Sequence, residues 1–167
     1  MYMTIKQFTD EWKNSSDATR KLMGAMTDLS LNQQVADGHR SLAKIAWHIA
    51  ISIPEMANRT GLKVSGPKED APLPNTAFEI MDGYDVAASS LLEQIKENWT
   101  DEDLRVEDEM YGEKWSREFT LRVLREHEIH HRGQMTILMR QAGLEIPGLF
   151  GPSKEEWAKF GMETPKI

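Results

Sequence analysis

The strongest constraint on the fold is the stretch Ser116 to Gln141, where apolar residues recur at helical spacing around three of the chain's five histidines. Its centre, Arg125 to Met135, reads REHEIHHRGQM. Projected at about 100° per residue with His127 at the origin, Val123, Leu124, Gln134, Leu138 and Ala142 fall within about 60° of it, and His131 about 40° away. Arg122, Arg125, Arg132, Thr136 and Arg140 gather on the far side. This projection therefore turns His127 and His131 toward the core and the arginines toward water. Two imidazoles one turn apart on an inward face are costly as filler, because each ring nitrogen needs a partner, yet the same spacing lets both grip one divalent cation. For either histidine alone, a core residue hydrogen-bonded to neighbouring helices is the better reading. For the pair, a metal is.

At 167 residues the chain is expected to form one domain, 1–167, long enough to bury a real core. Its 20 Lys and Arg against 27 Asp and Glu give a net charge of −7. With no basic block, nucleic acid is not an expected partner. The absence of cysteine removes disulfides, thiolate ligands and a cysteine nucleophile together, leaving His, Asp, Glu and water to hold any metal. This composition fits a cytoplasmic protein. The opening MYMTIKQFTDEW turns polar at once, and the longest uncharged apolar run, Ile45 to Pro54, is too short for a bilayer, so neither signal peptide nor membrane anchor is expected.

Four helices account for the patterning. The first is expected over Thr4–Thr27, opened by the capping box Thr4 to Gln7 and followed by a polar connection, Asp28 to Gly38. The second is expected over His39–Gly61, with Pro54 kinking or weakening it. His48 lies on the border of its apolar stripe, beside Ser41, Ser52, Glu55 and Arg59. Ser65 to Asn75, SGPKEDAPLPN, reads as a long crossover. The third helix runs from a capping box at Thr76–Glu79 to Asn98, with a possible bend at Gly83. Leu104 to Trp115 suggests a short hairpin-like excursion around Tyr111 and Gly112. The fourth helix, Ser116–Gln141, is stopped by Gly143. A last capping box, Ser153 to Glu156, predicts a short C-terminal helix through Trp157 and Phe160. The economical fold is an all-α four-helix bundle with one long crossover.

A metal held by His127 and His131 needs at least one more protein ligand. His48, mid-helix beside an apolar stripe, suits better than His39, which sits at the start of its helix. Three neutral imidazoles leave coordination positions for water, and an open site of that kind suggests chemistry.

A histidine in the middle of the second helix, the run HEIHHRGQ from His127, and the tail LFGPSKEEW from Leu149 together resemble the DinB/YfiT-like metalloenzymes. The resemblance covers essentially the whole chain. It implies an up-down-down-up bundle, a homodimer, and a divalent metal, often zinc or nickel, on His48, His127 and His131. Relatives of known activity include thiol S-transferases using bacillithiol and mycothiol-dependent isomerases, so a low-molecular-weight thiol cosubstrate is a further expectation. The family constrains the site more than the reaction.

His127 to His131 also satisfies H-E-x-x-H, in which the glutamate serves a zinc hydrolase as general base. Glu128 projects about 100° from His127, on the flank of the assigned core face. It is a candidate base, and a solvated boundary residue is the preferred reading. His130 is expected to support the ligands or a neighbouring helix and not to replace His131. Gln134 is balanced between a hydrogen bond to a ligand and an ordinary buried amide. Two functions follow from these residues: a metal-dependent transferase or hydrolase acting on a small molecule, or a noncatalytic metal- or ligand-binding bundle.

Overall fold

The computed structural model describes residues 1–166. It contains four long helices, α1 (Ile5–Met23), α2 (Leu42–Asn58), α3 (Ala77–Asn98) and α4 (Arg117–Gln141), with a two-stranded hairpin, β1 (Glu107–Met110) and β2 (Glu113–Ser116), between α3 and α4. Each helix starts on a hydroxyl that accepts a hydrogen bond from a first-turn amide: Thr4, Ser41, Thr76 and Ser116. At Thr4 the capping box with Gln7 is complete. The helix starts read from these sequence signals are therefore right at three of four ends.

The exception is α2. Gly38 takes a φ of 79°, Gln34 bridges Ser41, and the amides of Leu42 and Ala43 donate to the carbonyls of Gln33 and Leu31. These bonds hold the chain extended through Arg40, so the helix starts three residues after the expected His39. His39 and Arg40 are left on a loop. Pro54 lies within the helix, which continues to Asn58. Gly83 lies inside α3, which runs unbroken through it. A Cβ there would sit 2.6 Å from the Trp47 ring, so the glycine is the seat on which α2 lies against α3. The helix expected through Trp157 and Phe160 is only a short 3-10 turn, Trp157–Phe160.

The excursion around Tyr111 and Gly112 is a regular hairpin, with Glu107 opposite Ser116 and Met110 opposite Glu113. Both turn residues have positive φ, 55° and 85°, as a two-residue primed turn demands. Tyr111 is held there by α2: its hydroxyl donates to Glu55 at 2.6 Å and the Arg59 guanidinium lies 4.7 Å over its ring.

α1 packs on α3 and α4, and α2 packs on the same two helices from the other side. The core between them includes Phe8, Trp12, Leu22, Ile49, Ile53, Tyr84, Leu91 and Ile95, each at most 1 % exposed. Burying a side chain of this size stabilises the fold by about 1.5–3 kcal/mol. Trp12 also fixes α1 to α3, its indole nitrogen donating to the Ala88 carbonyl at 3.1 Å. Among the described residues no helix is long and apolar enough to cross a membrane.

Candidate metal centre

The buried residues of α4 run from Thr120 and Leu138 round through Met135 and Glu128 to Arg132. On the helical projection that arc centres about 80° from His127. The core face is therefore rotated from the one expected, and the histidines stand on its edge, in the seam between α4 and α2. Arg132, expected in water, is 2 % exposed, and Glu128, expected at a solvated boundary, is 1 % exposed. Both carry charge, which on a helix ordinarily marks the solvent face, and both lie about 100° or more from His127.

Together they form a buried network. Glu128 Oε1 accepts from the Ser15 and Thr19 hydroxyls, each at 2.9 Å, and Oε2 accepts from the Tyr84 hydroxyl at 2.9 Å. Arg132 Nη1 approaches the same carboxylate at 3.4 Å and donates to the Ser15 carbonyl at 2.8 Å. Its Nη2 is without a partner among the described residues. Burial raises the Glu128 pKa and lowers that of Arg132, the mark of a pair whose desolvation opposes its mutual attraction. Each hydroxyl partner lies far from Glu128 in sequence, and no local signal points to them.

On the seam, His48 from α2 meets His127 and His131 from α4. His48 Nε2 is 3.2 Å from His127 Nε2, His131 Nε2 is 3.1 Å from His127 Nε2, and one ligand atom from each ring falls within 4.8 Å of the others. The rings stand edge to face, with centroids 4.4 to 4.9 Å apart. Burial is the main cause that depresses all three pKa values, to about 4 for His48 and His127. Repulsion from His131 follows for the first two, and the charge of Arg40 opposes protonation of all three. Neutral imidazoles, with lone pairs free to coordinate, are what the environment favours.

Nearby polar groups orient His131. Its Nδ1 donates to Gln134 Oε1 at 2.7 Å, which leaves the Nε2 lone pair facing the other two rings. The Gln134 amide in turn donates to His130 Nε2 at 3.1 Å. Gln134 is therefore an exposed residue supporting a histidine, not a buried amide, and His130 joins through it. Two of the nitrogen separations, 3.1 and 3.2 Å, match the about 3.3 Å between ligand atoms bonded at about 2.05 Å to a tetrahedral ion, so the group could hold a cation. Among the described residues no carboxylate joins the three histidines. His39 stays apart from them, on the wall of an adjoining cavity of about 490 Å³ that reaches His131.

The fold and this centre define a helical-bundle protein with a three-histidine site. The chain belongs to the DinB family, which matches residues 1–166. It is 42% identical over 167 residues to a Bacillus subtilis (strain 168) protein called uncharacterized protein YrdA, covering 100% of both chains. It is similar to the crystal structure of a DinB-like protein from Bacillus cereus ATCC 10987, with a TM-score of 0.87 and 41% identity, covering 90% of this chain and 100% of that one. A DinB-like protein of Bacillus subtilis, YjoA, shares the fold at 23% identity and a TM-score of 0.67, covering 86% of this chain and 96% of that one.

Proposed function

We propose that His48, His127 and His131 hold one divalent metal ion, zinc or nickel, and that this up-down-down-up bundle is a metal-dependent transferase or hydrolase acting on a small molecule. The observation that carries the reading is the convergence of three imidazoles, with ring nitrogens at 3.1 and 3.2 Å. When bound, such an ion supplies a Lewis acid that activates water or a small thiol.

Catalysis is favoured over a purely structural centre by the count of ligands. Structural zinc sites are closed by four protein groups, whereas three are gathered here among the described residues, leaving an open position beside a cavity. Glu128 does not serve as the base of a zinc hydrolase in this reading, because both its oxygens are engaged by hydroxyls of α1 and α3. The H-E-x-x-H spacing is then a consequence of one glutamate and two histidines serving different faces of one helix. His131 is kept in the coordinating tautomer by Gln134, and His48 approaches from the opposite wall.

Metal analysis of protein purified without chelator, with His48→Ala, His127→Ala and His131→Ala beside it, tests the centre. Near-stoichiometric metal in the parent and loss in each variant is expected; full occupancy in any of the three would refute the ligand set. A screen of thiol conjugation and of ester and amide hydrolysis on the loaded protein then tests the reaction class.

A further inference from the structure

The cavity next to His131 is built from two unlike parts. The loop before α2 supplies Val35, His39 and Arg40, while α2 and α4 supply Ile45, Ile137 and Leu138, with His131 and Gln134 completing the wall. Its volume of about 490 Å³ lies within the roughly 300–1,000 Å³ of small-molecule sites. A larger hollow of about 640 Å³, between the proline-rich connection and α3, has no histidine in its wall.

Two features of the wall specify an occupant. Val35 and Ile137 remain 57% and 55% exposed, so the cavity carries apolar surface that the fold itself does not cover. Arg40 is the second. Among the described residues, every arginine except Arg40 and Arg105 holds a carboxylate within 4.0 Å. In a chain of net charge −7, with acidic partners abundant, Arg40 stays unpaired on a cavity wall that contains no Asp or Glu. A guanidinium so placed is matched by a carboxylate, which it can hold by two parallel hydrogen bonds.

We propose that this cavity binds a small monoanionic carboxylate with an apolar body, its carboxylate on Arg40 and its body on Val35, Ile45, Ile137 and Leu138, alongside His131. The inference deepens the metal-centre reading, since it names the class of molecule brought to the open position, but the anion site stands on Arg40 and the cavity. Hydrophobic contact gives affinity here and the guanidinium gives selectivity.

Calorimetric titration of the full-length protein with octanoate, octanamide and acetate, in metal-loaded and chelated forms with metal content measured in parallel, tests it. Octanoate is expected to bind both forms at least tenfold more tightly than octanamide or acetate, a difference of about 1.4 kcal/mol. Arg40→Gln is expected to abolish the preference over octanamide while leaving metal content and helicity unchanged, and Arg40→Lys to retain part of it. Equal binding of octanoate and octanamide would overturn the proposal. So would octanoate binding that survives Arg40→Gln and vanishes on chelation, because the carboxylate would then be a metal ligand. Octanoate selectivity that depends on Arg40 in a protein unable to hold metal would support the anion site while refuting the metal centre.

Discussion

Removing the Glu128 carboxylate is expected to be the most damaging single change in α4. Glu128→Ala leaves the Arg132 guanidinium, whose side chain is 3% exposed, without a counter-charge, and strips an acceptor from the hydroxyls of Ser15, Thr19 and Tyr84. Breaking a buried pair from one side costs about 3–5 kcal/mol, a large share of the roughly 5–15 kcal/mol that holds a domain together. At about 2–4 °C per kcal/mol for a chain of this size, the melting temperature should fall by roughly 6–20 °C. Arg132→Met reverses the problem by leaving a carboxylate in the core. Burial already raises the Glu128 pKa, and a raised folded-state pKa means the fold binds the proton more tightly than the unfolded chain. Stability in Arg132→Met should therefore be greatest in acid and decline as pH rises toward neutrality. The double variant Glu128→Ala/Arg132→Met removes both charges and should recover much of the loss. Urea unfolding of the four proteins at pH 7, followed by tryptophan fluorescence, gives the coupling energy directly. A cost below about 1 kcal/mol for Glu128→Ala, or a double variant as unstable as the sum of the singles, would refute this account of the network.

Other consequences are simpler to state. With His48 and His127 depressed to about 4, the unfolded chain binds more protons than the fold between about pH 4 and the ordinary histidine value. Chelated protein should therefore gain stability as pH rises through that window, measurable by melting at stepped pH, and a flat profile would contradict the depressed values. Gln134→Leu should weaken metal binding by roughly tenfold or more without loss of helicity, since His131 loses the acceptor of its Nδ1 proton, and His130→Ala should do less; chelator competition measures both. His39→Ala should leave metal content unchanged. Tyr111→Gly relieves a positive φ but forfeits the bond to Glu55 and the Arg59 contact, so a net loss of stability is expected by urea titration, with a gain counting against the anchoring role. We also propose that the protein is a homodimer, and a monomeric mass by light scattering at micromolar concentration would refute that.

Much of the architecture is local and could be read locally. Thr4, Thr76 and Ser116 announce their helices by hydroxyl chemistry, and the Tyr111–Gly112 turn follows from a glycine between two short extended runs. The three histidines were also legible, because spacing of four on one helix and a polar border on another are properties of each segment alone. The rotation of α4 was not. It depends on Ser15, Thr19 and Tyr84, which make burial of Glu128 and Arg132 tolerable, and nothing in the α4 segment reveals that such partners exist. Arg40 was missed for a related reason: Gly38 and the bridge from Gln34 to Ser41 turn a stretch with helical composition into a loop.

The position of the Glu128–Arg132 network has a consequence for how this scaffold can change. Hydrophobic contacts alone let a helix roll by a fraction of a turn at small cost, whereas an ion pair keyed to three hydroxyls allows one azimuth. That key engages α1 and α3, on the side of α4 away from His48. The seam with α2 can therefore accept new side chains, or lose old ones, without the helix turning to compensate. A fold arranged in this way separates the residues that set the aim of His127 and His131 from those that decide what they meet, so its pocket can be rebuilt one substitution at a time.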